Sequence, residues 1–139
     1  NEKIKNRDFW MPFAASVLEK YAKKYFVISG DVKKYKYMTN CVDSTKLGKH
    51  KLKAALHPYD LTCRPQILNT GINPRYEDLI NKFGKISKTY GLLNTSFNLH
   101  GLPIVNNSYD AIEVFLRTKI DCLILDKYFI IKKIKKKDF

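Results

Sequence analysis

Gly91-Leu92-Leu93-Asn94-Thr95-Ser96-Phe97-Asn98-Leu99-His100-Gly101-Leu102-Pro103 runs from a short apolar segment into small polar side chains, then into a glycine and a proline. Gly91 to Leu93 read as the end of a buried strand, and Gly101 with Pro103 close the loop that follows. If Ser96 and Asn98 are extended, their period-2 spacing puts both side chains on one face, with Phe97 on the other. A hydroxyl beside a carboxamide offers neutral donors and acceptors, which suits a phosphate, a ribose or an acyl group better than proton transfer. The competing reading is a loop in which Asn94, Ser96 and Asn98 bond only their own backbone.

Outward from that segment the pattern alternates between helix and strand. Val17, Leu18, Tyr21 and Ala22 at helical spacing predict a helix over 16–25. Tyr35 to Val42 reads as a strand, and 50–56 as containing a short helical turn. Ile67 and Leu68 continue a strand from Arg64. Asn73-Pro74 caps a helix to Phe83 that Gly84 ends. Ser108 opens another to Thr118, with Ile112, Phe115 and Leu116 as its buried side. Cys122 to Leu125 and Tyr128 to Ile134 form a hairpin turning at Asp126-Lys127. The fold class expected is α/β (α+β), a twisted sheet with packed helices in a single domain over 1–139, followed from Lys132 by a basic tail.

Two basic clusters carry further chemistry. Lys5 and Arg7 are two apart, so an extended chain points both cations one way, and Trp10 and Phe13 close behind tie the segment to a core. Thr62-Cys63-Arg64-Pro65-Gln66 follows His57 and Asp60, and Pro65 biases Arg64 towards an extended conformation. Only four of the 26 basic residues are Arg, so Lys is the default surface cation and each Arg suggests placement for geometry. A planar guanidinium fork binds phosphate or carboxylate bidentately.

These clusters, with Phe9-Trp10-Met11-Pro12-Phe13-Ala14, Asn73-Pro74-Arg75-Tyr76, Pro103-Ile104-Val105, Asp110-Ala111 and Phe115-Leu116-Arg117-Thr118, stand in an order that resembles the C-terminal part of the O-carbamoyltransferases of the NodU and CmcH type, which serve nodulation-factor and antibiotic biosynthesis. The resemblance runs from Asn1 to about Lys132 and implies a YrdC-like domain with a K-x-R and S-x-N signature. Lys5 with Arg7, and Ser96 with Asn98, match that signature.

The activity it implies is formation of carbamoyl adenylate from carbamoyl phosphate and ATP with Mg²⁺. An N-terminal actin-like domain of the same chain, holding iron, would then transfer the carbamoyl group to an acceptor hydroxyl. The chain is accordingly expected to be a fragment of a longer protein. Lys5, Arg7 and Arg64 are the implied catalytic cations. With Thr95, Ser96 and Asn98 they would bind nucleotide and carbamoyl phosphate, and His57, Asp60, Gln66 and His100 are further candidates. Cations and neutral donors suit this chemistry, because its reactants are anions. The chain departs from the family at Leu61, where a glycine is usual; a φ > 0 there would strain leucine. Ala15 and Leu102 are smaller departures.

Composition bounds the alternatives. The net charge of +13 attracts polyanions, so a basic nucleotide- or RNA-binding module is the competing class. The Lys residues are spread along the chain, however, and aromatic residues do not interleave the terminal run, which disfavours a nucleic-acid partner. Three cysteines without CxxC spacing point to reduced thiols, no metal site and a cytoplasmic location. No segment resembles a signal peptide, and no apolar run approaches the ~20 residues of a membrane span.

Overall fold

A computed structural model describes residues 1–132. They fall into two compact units: one holds 10–95, the other joins 1–9 to the segment that starts at Ser96. The architecture is mixed α/β, as expected. Among the described residues no helix is long and apolar enough to cross a membrane.

In the 10–95 unit, strand β1 (Ala14–Leu18) lies between β2 (Gln66–Leu68), which runs parallel to it, and β3 (Gly91–Asn94), which runs antiparallel. Every residue of β1 is buried, so its sequence shows none of the alternation of a half-exposed strand. That is why 16–18 reads as the start of a helix when the observed helix, α2 (Glu19–Tyr25), starts only at Glu19. Ala15, Val17 and Ile67 pack on one side with Tyr25, Phe26, Leu52 and Leu56. Leu18, Leu68 and Leu92 pack on the other with Ile80 of α4 (Pro74–Ser87).

Asn73 caps α4 as its sequence predicts, accepting from Tyr76 N at 3.1 Å. The helix does not stop at Gly84, however. It runs a further turn, to Lys88 in the left-handed conformation. Gly84 is instead a contact position, where an added Cβ would meet the Tyr90 ring at 2.2 Å.

The strand expected over 35–42 is absent. Val32–Tyr35 form a 3₁₀ turn capped by the Asp31 carboxylate, Met38 has φ 56°, and only Val42 pairs, with Cys63. Tyr35 packs against the main core and Tyr37 is exposed, but with no neighbouring strand the segment after them has nothing to hold it extended. The short helical turn within 50–56 is present at Lys53–Ala55, preceded by α3 (Lys46–Lys51).

Leu61 has φ 61°, so this turn requires the left-handed conformation that its sequence raised as a source of strain. Its side chain packs against the main core cluster, which offsets the strain. Shortening that side chain to Ala or to Gly loses the same packing, but only Gly accepts the backbone freely. We expect Leu61→Gly to be more stable than Leu61→Ala by about 1 kcal/mol, the reverse of the usual order, in paired urea titrations. An Ala variant at least as stable as the Gly variant would contradict this.

In the other unit, α1 (Glu2–Lys5) ends at Asn6 in the left-handed conformation, so Lys5-Asn6-Arg7 is not extended as expected. Helix α5 (Ser108–Arg117), capped by Asn107, buries Ala111, Val114 and Phe115. Ile112 and Leu116, expected inside, are 38% and 67% exposed. Phe115 packs with Leu123 on the inner face of the hairpin β4 (Cys122–Leu125) and β5 (Tyr128–Ile131). The hairpin turns at Asp126-Lys127 as predicted, with Asp126 at φ 52°. Residues 133–139, with the expected end of the last strand and most of the basic tail, lie outside the described residues.

Candidate functional site

The Lys5 and Ser96-Asn98 motifs, 91 positions apart, meet in one unit. Lys5 is 4% exposed, and its Nζ donates to Ser96 O at 2.5 Å, Asn98 O at 2.7 Å and Asn98 Oδ1 at 2.6 Å, with Ser96 Oγ at 3.3 Å. All four atoms are oxygens, which is what the three hydrogens of an ammonium need on leaving water. The backbone adds His100 N donating to Lys5 O at 2.9 Å. Burial, and then the neighbouring Arg7 charge, lower the Lys5 pKa below that of an ordinary lysine.

Ser96 Oγ donates to Asn98 Oδ1 at 2.7 Å, and Asn98 Nδ2 donates to Leu102 O at 2.6 Å. The two side chains are therefore side by side, as the sequence predicts, although the chain bends at Phe97-Asn98 instead of extending. Phe97 packs with Phe115 and Leu123. Arg7 is half-buried, its Nε donating to Asn1 Oδ1 at 2.8 Å, and burial lowers its pKa. Beside it a cavity of about 320 Å³ is bordered by Glu2, Asn6, Arg7, Asp8, Phe9 and His100.

Arg64, Gln66, His57, Asp60 and Thr95 belong to the 10–95 unit. Arg64 and Thr95 are exposed. Gln66 Oε1 accepts from Ser16 Oγ at 2.7 Å and from Asn94 Nδ2 at 3.0 Å, a polar row linking all three strands. Ser16 is fully buried. Its part in this row is not evident in the sequence, where it reads as a helix residue.

His57 and Asp60 serve their own turn. Asp60 Oδ1 accepts from Thr62 N at 2.9 Å and Thr62 Oγ1 at 2.7 Å, and His57 Nδ1 lies 3.4 Å from the same oxygen. The Thr62 hydrogen bonds hold the Asp60 pKa below that of an ordinary carboxylate. A depressed carboxylate pKa adds stability above its unfolded value, near 4, which is lost as pH falls through the lower folded value. Asp60→Ala is therefore expected to destabilise the chain at pH 7 and to have a smaller effect at pH 3, as thermal melts at the two pH values would show. An equal effect at both would contradict this.

Cys63 is buried, and burial pushes its thiol up to about 11, so it is a packed residue and no nucleophile. Among the described residues no three His, Cys, Asp or Glu side chains are grouped to hold a metal ion.

The family described as the carbamoyltransferase C-terminus matches residues 1–132. Among similar proteins, the nodulation protein NolNO of Sinorhizobium fredii is 37% identical over 96% of this chain and 19% of its own length. The nodulation protein NolO of Bradyrhizobium diazoefficiens is 35% identical over 96% of this chain and 24% of its own length. An uncharacterized protein of Methanocaldococcus jannaschii is 37% identical over 96% of this chain and 21% of its own. The chain thus spans about a fifth to a quarter of the length of the curated relatives it matches.

Proposed function

Since the chain belongs to the carbamoyltransferase C-terminus family, we propose that it is the part of a carbamoyltransferase that binds carbamoyl phosphate and MgATP and joins them as carbamoyl adenylate. The observation that carries this reading is the closure of the Lys5, Ser96 and Asn98 cluster beside Arg7 and its cavity.

In this reading Lys5 is a positioning residue as well as a charge. Its hydrogens hold two main-chain carbonyls and the Asn98 carboxamide, which fixes Ser96 and Asn98 for the ligand. Arg7 takes phosphoryl oxygens through its planar fork. A water oxygen adds to carbamoyl phosphate as the bond between the carbamoyl group and phosphate breaks, giving carbamate, inorganic phosphate and a proton released to solvent. A carbamate oxygen then attacks the α-phosphorus of ATP, the bond to the bridging oxygen breaks, and pyrophosphate leaves. Charge builds on phosphoryl oxygens throughout, so fixed donors and cations supply the stabilisation and a carboxylate base would add little. Mg²⁺ arrives as the companion of ATP. The carbamoyl group would pass to an acceptor hydroxyl in a domain that the relatives carry beyond the matched region, and iron belongs to that domain in the same reading.

Incubated with MgATP and carbamoyl phosphate, the chain is expected to release pyrophosphate only when both are present. Arg7→Ala is expected to slow release by about 100-fold or more. Release without carbamoyl phosphate, or at an unchanged rate in the variant, would contradict the proposal.

A further inference from the structure

The cavity beside Arg7 has a wall of mixed sign. Arg7 and His100 suit an anion, yet Glu2 and Asp8 border the same space of about 320 Å³, which is at the lower end of small-molecule sites. Two carboxylates repel a phosphate, so a pocket that served only anions would be weakened by them. Ionised carboxylates only accept hydrogen bonds. Their presence therefore suits a ligand that is anionic at one end and carries N–H donors at the other.

Resting on the carbamoyl phosphate reading, we infer that Glu2 and Asp8 are specificity residues that accept the two N–H hydrogens of the carbamoyl amide while Arg7 holds the phosphate. Acetyl phosphate has nearly the same shape and charge but presents a methyl group to those carboxylates. A site built to bond an N–H rejects the analogue that lacks it, because the site's own acceptors are then left desolvated and unpaired. Glu2 and Asp8 are exposed residues, which moderates the discrimination to about tenfold.

The test uses carbamoylphosphonate and acetylphosphonate, an isosteric pair that does not hydrolyse, titrated calorimetrically into the chain and its variants. The wild-type chain is expected to bind the carbamoyl compound about tenfold more tightly. The Glu2→Ala/Asp8→Ala double variant should bind both within about twofold of each other, and should bind the acetyl compound no worse than wild type because repulsion is gone. The Glu2→Gln/Asp8→Asn variant keeps a carbonyl acceptor at each position and should keep part of the preference, which a merely structural role would not predict.

Equal wild-type affinities, or an unchanged ratio in the double alanine variant, would overturn the inference and leave the parent reading standing. Weakened MgATP binding with an unchanged ratio would assign the carboxylates to the nucleotide and overturn it too. Failure of both phosphonates to bind the wild-type chain would overturn the carbamoyl phosphate reading itself.

Discussion

Replacing Lys5 with methionine is expected to destabilise the unit built from 1–9 and the segment from Ser96 by on the order of 3 kcal/mol, and to abolish ligand binding. Methionine keeps most of the buried stem, so the loss isolates the ammonium. Without it, Ser96 O and Asn98 O lose donors at 2.5 and 2.7 Å, and the Asn98 carboxamide loses one at 2.6 Å. Hydrogen bonds from charged donors contribute about 1.5–3 kcal/mol each, and only part of that is recovered where water can reach the vacated oxygens. A urea titration followed by amide signals from 96–102 would measure the change. Arg7→Ala provides the contrast: it should lose binding with little change in the denaturation midpoint. A Lys5→Met variant that kept wild-type stability and affinity would remove the basis for the proposed site.

Gly48→Ala is expected to cost about 3 kcal/mol or more, or to prevent folding of the 10–95 unit. Gly48 lies in α3 against the end of α2, where a Cβ would stand 2.0 Å from Tyr25 O and 3.0 Å from Tyr25 C. Those atoms are main chain and have little freedom to move. Tyr25 O accepts from Thr45 N at 2.9 Å, Tyr25 OH accepts from Tyr90 N at 3.0 Å, and Tyr25 itself is 3% exposed. Relieving the clash thus means parting α3 from α2 or giving up the Tyr25 contacts. Circular dichroism against temperature reads the loss, and an unchanged midpoint would show that the approach of these helices is looser than described.

How much of this was legible depended on whether the signal was local. The Asn73-Pro74 cap and the Asp126-Lys127 turn act within a few residues, and both stand where the sequence puts them. Strand β1 was hidden because burial on both faces erases alternation, which leaves Ser16 to Leu18 resembling the start of a helix. Gly84 looked like a terminator because a local reading cannot see the Tyr90 ring that needs the space.

The candidate site shows the same division. Ser96 and Asn98 announce themselves as a polar pair by their spacing, and they bond each other at 2.7 Å. That Lys5 fills its hydrogen-bonding capacity on them emerges only when the fold brings 5 and 96–98 together. Equally, the sequence suggested His57 and Asp60 as ligand contacts, while the structure shows Asp60 holding the Thr62 turn. Short polar side chains near a proline serve turns and ligands alike, and composition alone does not separate the two.

The most direct test of the central claim is calorimetric titration of the chain with MgATP and carbamoyl phosphate, repeated on Arg7→Ala and Asn98→Ala, with a short RNA as competitor. Binding in the wild-type chain that both variants lose and RNA does not displace is the predicted result. Tight RNA binding that neither substitution weakens, with no heat from nucleotide or carbamoyl phosphate, would contradict the account and mark the net charge of +13 as the working feature of this chain.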